Sequence, residues 1–350
     1  MLRAAGNYWN AQGIEGEILC TGDVLGSYAG PLRDAGYRIH HLPFARSARF
    51  LHSLYLFFRS HRFDIVHIHA ERASFWYAGL AYLTGHRRMI RSLHGVFSFR
   101  GGLRARRYLQ RLIMRRIFGV RMTAPSETVR RVERSTFHNS PVVIANWFDS
   151  NQHHPPTPEQ RTAARRAFGI KPGAMVICSV GNCLPLKNHT ALLQAIAEVP
   201  RSVNILYLHA GEEQPGNGER RLAAGLGIAG RVQFIGPVGN AQAVLHASDL
   251  FVMPSLREGF GIAAVEAMGA GVPVVLSDVE GLCDFHAISP AIHWIEPTSA
   301  AVKSAILHFH GLALPERKAI GEQLSAGAHR SFGVTRGAAQ YAALYRGAGA

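Results

Sequence analysis

The chain has 350 residues, of which 47% are hydrophobic and 17% charged, with 38 basic against 23 acidic side chains. This composition excludes a disordered chain, and the length favours two domains. No apolar run approaches the ~20 residues of a membrane span, and the first residues lack the apolar core of a secretory signal. The composition therefore predicts a cytoplasmic, globular protein.

The four cysteines form no Cys-x-x-Cys pair. The spacing from Cys178 to Cys183 has no matching second half of the kind that zinc sites show. We therefore expect reduced, buried thiols, as in a cytosolic protein. We also predict no metal, since the chain has no Asp-x-Asp motif.

The positive charge is concentrated in the first half of the chain. Residues 1–150 contain 22 arginines and 9 acidic residues, whereas residues 151–350 contain 16 basic and 14 acidic residues. A codon bias towards arginine does not explain why one half is nearly neutral. We expect a negatively charged partner at the N-terminal half.

The chain opens with a pattern typical of the end of a helix, Met1 to Gln12, followed by a strand at 14–20. A doubly wound domain normally begins with a strand and a glycine-rich turn, so the first strand is expected to be missing, most simply through a mis-assigned start codon. Apolar runs then alternate with helical patterns, which predicts parallel strands covered by helices. The predicted strands are 37–42, 64–69, 88–93, 120–125 and 141–145, and the helices are 48–60 and 73–83.

The segment 87–134 contains fourteen arginines and two acidic residues. Within it, residues 103–118 carry apolar side chains at helical spacing, and arginines flank that stripe. An ordinary helix with a solvated face has this pattern, and so does a helix that docks on an anionic bilayer; we favour docking. Nucleic acid binding is not expected, because no known reading module is present. The flanking arginines are Arg104, Arg107, Arg111 and Arg115.

A polar, proline-bearing segment at 150–161 predicts the domain boundary. Beyond it, a strand at 175–180 leads through a loop to a helix from Thr190, and Lys187 in that loop can reach a diphosphate as a point charge. A surface lysine is the alternative. Further strands are predicted at 203–209, 231–235, 250–253, 272–277 and 292–295.

The stretch from Ser255 to Met268 predicts a strand end, a glycine-bearing loop and a helix start. At the carboxyl end of a sheet, that helix N-terminus favours an anion such as a diphosphate. Glu258 and Glu266 would repel phosphate, so they more plausibly accept hydrogen bonds from hydroxyls. A nucleotide-sugar has a central diphosphate with hydroxyls on both sides. Two solvated glutamates are the alternative interpretation.

The string Pro-Ser-x-x-Glu-Gly-Phe-Gly from Pro254, followed by Glu-Ala-Met and by Gly-x-Pro-Val-Val, resembles the donor site of family 4 retaining glycosyltransferases of the GT-B fold. The resemblance implies that Glu258 lies beside the donor sugar and that Glu266 holds the ribose. It implies that the backbone of Gly259, Phe260 and Gly261 contacts sugar and phosphate.

The resemblance extends to two further loops. Lys187, after Gly181, stands where the family keeps a phosphate-binding lysine, and Asn182 replaces the family's usual arginine. A histidine at a strand end points at the donor sugar in the family. His94 is the best match, with His67 and His69 as rivals.

The resemblance implies an α/β protein with two doubly wound, Rossmann-like domains facing a cleft: an acceptor domain at 1–150, a donor domain at 151–335, and a final helix at 336–350 packed on the first domain. It implies transfer of a hexose or related sugar from a nucleotide diphosphate sugar, with retention of configuration and no cofactor. With the basic segment, we expect a glycan or lipid-linked acceptor, a role in cell-surface polysaccharide synthesis, and a peripheral location on the inner face of the membrane. A nucleotide-sugar epimerase and a non-catalytic binder are the alternatives.

Overall fold

The computed structural model describes residues 1–26, 28–96 and 99–347. The predicted ranges 87–134 and 336–350 therefore include positions, 97–98 and 348–350, that lie outside the described residues. The chain divides into two compact units. The first comprises Met1–Asn146 with the residues from Thr335 onward, and the second comprises Trp147–Val334.

Strands and helices alternate along the first unit. Its helices in the described range before residue 147 are α1 (Leu2–Ala11), α2 (Ala29–Asp34), α3 (Ala48–Ser60), α4 (Ser74–Leu83), α5 (Gly101–Arg116) and α6 (Glu127–Phe137). Its strands there are β1 (Glu17–Cys20), β2 (Arg38–His41), β3 (Val66–Ile68), β4 (Met89–Ser92), β5 (Arg121–Ala124) and β6 (Val142–Val143). β1 and β2 form one parallel sheet, and β3, β4, β5 and β6 form another in that order.

Helix α3 illustrates how the sequence forms this unit. Ser47 accepts a hydrogen bond from the Phe50 amide at 3.2 Å, which caps the helix at its start. Phe50, Leu54 and Phe58 follow at four-residue intervals, so they share one face, and all three are buried. That face packs with buried residues of α4 and β3 in one apolar cluster.

Helix α5 differs from the prediction at Arg111, which was expected on a flank of a membrane-facing helix. The Arg111 side chain is 2% exposed and lies inside the unit. Its Nε donates to both carboxylate oxygens of Glu133 at 3.1 Å, and its Nη2 lies 3.2 Å from Glu71 Oε1. Arg91 is buried beside it and also pairs with Glu71. Paired carboxylates offset the cost of burying both cations, so loss of either carboxylate would leave a buried charge uncompensated.

The C-terminal helix α14 (Val334–Arg346) belongs to the first unit from Thr335 onward. Trp9 Nε1 donates to the Ala338 carbonyl at 2.9 Å. The Tyr341 hydroxyl lies 2.8 Å from Ser92 Oγ and 2.9 Å from Thr123 Oγ1, at the ends of β4 and β5. Buried polar contacts therefore join this helix to the sheet formed by β3, β4, β5 and β6.

The second unit is built on a six-stranded parallel sheet within the described residues, with the order β12-β11-β10-β7-β8-β9. Its strands are β7 (Met175–Val180), β8 (Ile205–Ala210), β9 (Val232–Gly236), β10 (Leu250–Met253), β11 (Val274–Ser277) and β12 (His293–Ile295). Its helices in the described range are α7 (Pro158–Ala167), α8 (His189–Glu198), α9 (Gly218–Gly225), α10 (Gln242–Ala247), α11 (Ile262–Gly269), α12 (Ser299–Gly311) and α13 (Leu314–Phe332).

The central strands of this sheet are buried, as expected for parallel strands with helices on both faces. One side is closed by α8 and α12, whose Leu192, Ile196 and Phe309 are at most 2% exposed. The non-helical linker predicted at 150–161 is shorter than expected, because α7 begins at Pro158. Thr157 Oγ1 accepts from the Gln160 amide at 3.2 Å, the Thr157 amide donates to Gln160 Oε1 at 2.9 Å, and Pro158 fits the first turn of α7.

Candidate functional site

In the six-stranded sheet of the second unit, the strand order changes direction at one place, the topological switch point. β7, the first strand of this unit, has β8 on one side and β10 on the other. Connections from β7 and from β10 therefore proceed in opposite directions across the sheet, and their loops diverge at the carboxyl ends. In open α/β sheets, this crevice is where ligands bind. Both loops singled out in the sequence, 181–189 and 254–261, begin there.

An ion pair joins these two loops. Lys187 Nζ donates to Glu258 Oε1 at 2.7 Å, and the side chains are 23% and 11% exposed. The same carboxylate oxygen accepts from Ser255 Oγ at 2.8 Å, a partner that the sequence analysis did not identify. The Leu256 amide also donates to the Leu186 carbonyl at 2.8 Å. The structure therefore brings Lys187, which was predicted to bind phosphate, next to Glu258, which was predicted to bind the sugar.

The loop after β10 reaches α11 through Gly261, which has φ +81°. A Cβ at this position would lie 2.5 Å from Leu282 Cδ2, so glycine is required by both backbone and space. Because the N-cap residue is glycine, no side chain of its own caps the first-turn amides of α11. These amides are therefore placed to meet an anion.

Phe260 contributes to this loop through packing. Its side chain is 4% exposed, and its ring lies edge-on to Phe285 and Phe332, each at 5.3 Å between centroids. Only the backbone of Phe260 remains for a ligand. The hydrophobic anchor fixes the position of Gly259 and Gly261 on either side of it.

The backbone of Glu258 contacts the neighbouring loop at 280–281, which the sequence analysis did not single out. Its amide donates to the Glu280 carbonyl at 2.9 Å. A Cβ on Gly281, which has φ +90°, would lie 2.0 Å from the Glu258 carbonyl oxygen. The glycine after Glu280 therefore lets the two backbones meet.

The loop after β7 is fixed at both ends. The Lys187 chain passes over Gly181, where an added Cβ would lie 3.5 Å from Lys187 Cε. Asn182 is exposed, and its Oδ1 accepts from the Glu212 amide at 3.1 Å. Asn182 therefore joins two loops through a neutral amide, at the position where the resembled family has an arginine.

Glu266 lies on α11, near a buried histidine. Its Oε1 is 3.8 Å from His153 Nε2, and the carboxylate side chain is 25% exposed. Burial raises the pKa of Glu266 to about 7, and burial lowers the pKa of His153 to about 4. At neutral pH the imidazole is therefore neutral, and the carboxyl group titrates near physiological pH.

His94 lies in the first unit, just beyond β4. It is exposed, and its Nε2 lies 3.1 Å from His69 Nδ1, with the two rings stacked. His67 is engaged at both nitrogens, by Tyr345 Oη at 2.7 Å and Ser92 Oγ at 2.8 Å. Of the three histidines considered from the sequence, His67 is therefore tied to the fold, and His69 supports His94.

Comparison with known proteins places both units in one group of enzymes. The model named Glycosyltransferase Family 4 matches residues 2–152, and the model named Glycosyl transferases group 1 matches residues 160–301. The D-inositol 3-phosphate glycosyltransferase of Geodermatophilus obscurus is 40% identical over 138 residues, covering 36% of this chain and 31% of the relative. The matched curated relatives are spanned over only 28% to 33% of their own length.

Two solved structures extend the likeness to almost the whole chain. HepE of Anabaena, in complex with UDP and glucose, has a TM-score of 0.83 at 18% identity, covering 99% of this chain and 94% of that one. WaaG, described as a glycosyltransferase involved in lipopolysaccharide biosynthesis, has a TM-score of 0.76 at 17% identity, covering 98% and 94%. The chain therefore belongs to the family 4 glycosyltransferases and has their GT-B fold.

Proposed function

We propose that the chain transfers a sugar from a nucleotide diphosphate sugar to a glycan or lipid-linked acceptor. In this reaction the oxygen of an acceptor hydroxyl bonds to the anomeric carbon. The bond from that carbon to the diphosphate breaks, its electron pair leaves with the nucleoside diphosphate, and the hydroxyl proton is released. Retention of the anomeric configuration is part of the proposal, since the family resemblance implies it.

The proposal rests on one observation: two features suited to binding phosphate lie at the switch point. Lys187 supplies a cation from the loop after β7, and α11, whose N-cap is Gly261, supplies its first-turn amides after β10. A departing diphosphate gains negative charge, so prepositioned positive groups lower the barrier. We propose that these groups act without a metal ion in the transfer step, and that adding magnesium leaves turnover unchanged.

The two glutamates fit the parts of the donor on either side of the diphosphate. Glu258 is fixed by Ser255 and Lys187 and would accept hydrogen bonds from the sugar hydroxyls. Glu266, further along α11, would accept from the ribose hydroxyls. We assign His94 to the donor sugar as the family implies, because its exposed ring is supported by His69.

The acceptor class follows from charge and from relatives. WaaG is described as acting in lipopolysaccharide biosynthesis, and residues 1–150 of this chain are strongly basic. On α5, Leu103 and Leu109 are 49% and 55% exposed beside exposed Arg104 and Arg106. We propose that this mixed face, together with neighbouring arginines of 87–134, docks on anionic lipid and serves cell-surface glycan synthesis.

Membrane docking of this kind is peripheral. None of the helices in the described ranges is both long enough and apolar enough to cross a bilayer. We expect the protein to co-sediment with vesicles containing anionic lipid, and we expect Arg104→Glu with Arg106→Glu to weaken binding about tenfold or more. Co-sedimentation that is independent of anionic lipid would contradict this part.

A donor screen tests the transfer reaction. Uridine, guanosine and adenosine diphosphate sugars are tested for thermal stabilisation and for consumption, with and without a membrane lipid extract, on the wild type and Glu266→Ala. One donor is expected to stabilise the wild type by several degrees, to lose that effect in the variant, and to be consumed only with lipid. Glu322→Ala, an exposed glutamate of the same unit, is the matched control.

Other outcomes of the screen would select another function. A donor that is converted to a different nucleotide-sugar without any acceptor would indicate an epimerase. A donor that binds through Glu266 but is never consumed, with any lipid or glycan acceptor, would indicate a non-catalytic binder. Failure of every donor to stabilise the wild type would overturn the assignment of the donor site itself.

A further inference from the structure

A buried cluster of one cysteine and two histidines lies beside the loop after β7. Cys183, His189 and His209 each offer an atom that can ligate a metal, and these three atoms lie within 4.8 Å of one another. The residues are 1%, 5% and 0% exposed. Cys183 comes from the loop, His189 begins α8, and His209 lies on the neighbouring strand β8. The spacing of cysteines in the sequence could not reveal this group.

His209 is oriented so that one ring nitrogen faces Cys183. Its Nδ1 lies 3.0 Å from Ser179 Oγ and 3.2 Å from Tyr207 Oη. Its Nε2 lies 3.2 Å from Cys183 Sγ. Metal-ligating histidines are commonly held in this way, with the second nitrogen bonded to an outer partner that fixes the ring. Ser179 and Tyr207 are such partners.

His189 carries a buried ring nitrogen that no described residue satisfies. Its Nδ1 is buried and has no hydrogen-bond partner among the described residues. Its ring lies 4.5 Å from the ring of His209, at an angle of 67°. Buried ring nitrogens are normally bonded, so an unsatisfied nitrogen on a histidine of this cluster points to a ligand that the described residues do not supply.

We propose that Cys183, His189 and His209 bind one zinc ion, which takes no part in the bond changes of the proposed sugar transfer. Tetrahedral zinc, with bonds of ~2.3 Å to sulfur and ~2.0 Å to nitrogen, places a sulfur and a nitrogen ligand about 3.5 Å apart. The Sγ to Nε2 distance of 3.2 Å is slightly shorter, so a small outward shift of the two side chains would admit the ion. One thiolate with two imidazoles favours zinc over magnesium or calcium. Binding releases the thiol proton of Cys183 to solvent, with no change in oxidation state.

The position of the cluster gives the ion a structural role. Cys183 and His189 are at the two ends of the segment that carries Lys187, and His209 belongs to the sheet. An ion bound by all three would fix that segment to β8. Zinc removal is therefore expected to lower thermal stability and to weaken binding of a nucleoside diphosphate several-fold.

Metal content of the purified protein tests the site directly. Untagged protein is dialysed against excess zinc, freed of loose metal on a chelating resin, and analysed for bound zinc and for thermal stability. We expect about one zinc per chain in the wild type and less than about a tenth of that in Cys183→Ser and His189→Asn. Cobalt in place of zinc should give a thiolate charge-transfer band that Cys183→Ser abolishes.

The controls use residues of the same kind and burial. Cys178 and His246 are also buried in the second unit but lie outside the cluster, so Cys178→Ser and His246→Asn should retain the zinc. Circular dichroism confirms that each variant is folded. A folded wild type that retains no zinc, or equal zinc in Cys183→Ser and Cys178→Ser, would overturn the proposal. Because no sugar donor is used, this result is separate from the test of the transferase.

Discussion

Lys187 Nζ donates to Glu258 Oε1 at 2.7 Å, across two loops that start from neighbouring strands. In the sequence these residues are 71 positions apart, and we assigned one to the diphosphate and the other to the sugar. Their pairing places the cation against the carboxylate. If Lys187 binds the donor diphosphate as proposed, that diphosphate competes with Glu258 for the cation, so phosphate binding is coupled to the position of this carboxylate.

Replacing Lys187 by alanine should weaken binding of the donor's nucleoside diphosphate by about 10-fold to 100-fold, since a hydrogen bond to a charged group contributes ~1.5–3 kcal/mol. The variant also leaves Glu258 without its cationic partner beside the phosphates, which adds repulsion. Isothermal titration with the nucleoside diphosphate measures the loss. Lys318→Ala, on the exposed surface of α13, should bind as the wild type does. Equal affinities for the two variants would remove Lys187 from the site.

Glu266 should make donor binding depend on pH. Its pKa is raised to about 7, so the free protein protonates below that pH, and a neutral carboxyl group accepts poorly from the ribose. The dissociation constant is expected to rise by up to about tenfold per pH unit below 7 in the wild type and to stay flat in Glu266→Gln. A wild-type affinity that is constant from about pH 5 to pH 8 would contradict this assignment.

The same carboxyl group should affect stability in the opposite direction. Because its folded pKa lies above the ordinary value of 4.5, its stabilising effect is complete at acidic pH and is lost as pH rises through about 7. Near pH 8, Glu266→Gln should therefore be more stable than the wild type, by about 1–3 kcal/mol. Urea denaturation near pH 8 and near pH 5 measures the difference, and Glu322→Gln should show none.

Gly261→Ala should destabilise the second unit by about 2–4 kcal/mol. Alanine would have to adopt a left-handed backbone conformation, and its Cβ would overlap the Leu282 side chain. Thermal unfolding measures the loss, and donor binding should fall with it. Gly225, at the end of α9, has open space around its Cα and an ordinary φ, so Gly225→Ala is the matched control and should be neutral or stabilising. Equal unfolding temperatures for both variants would show that the Gly261 loop adapts.

Glu133→Ala should destabilise the first unit by about 3–5 kcal/mol, since it leaves Arg111 buried with one carboxylate fewer. Glu127 also pairs with an arginine of α6, but both partners are about half exposed, with side-chain exposures of 50% and 45%. Glu127→Ala should therefore change the free energy of unfolding by less than ~1 kcal/mol. If the two variants lose equal stability, Arg111 is not held as the structure describes.

The sequence by itself was sufficient for the local elements whose signals are continuous. Helix α3 and strands β7 and β10 have the predicted bounds, because a capped amphipathic pattern and uninterrupted apolar runs have few alternative conformations. The sequence motif around Glu258 also identified the family that the comparisons support. Short strands were predicted too long, as at 64–69 for β3, because the pairing with β4 covers only Val66–Ile68 and the sequence does not show where pairing ends.

Only the tertiary structure decided which distant residues meet. The pairing of β10 with β7 joins Lys187 to Glu258, and the pairing of β8 with β7 brings His209 to Cys183. The inward turn of Arg111 depended on carboxylates from two other segments, Glu71 and Glu133. Spacing along the chain reports local conformation, whereas strand order and burial depend on the packing of the whole unit, and those determine the chemistry of the site.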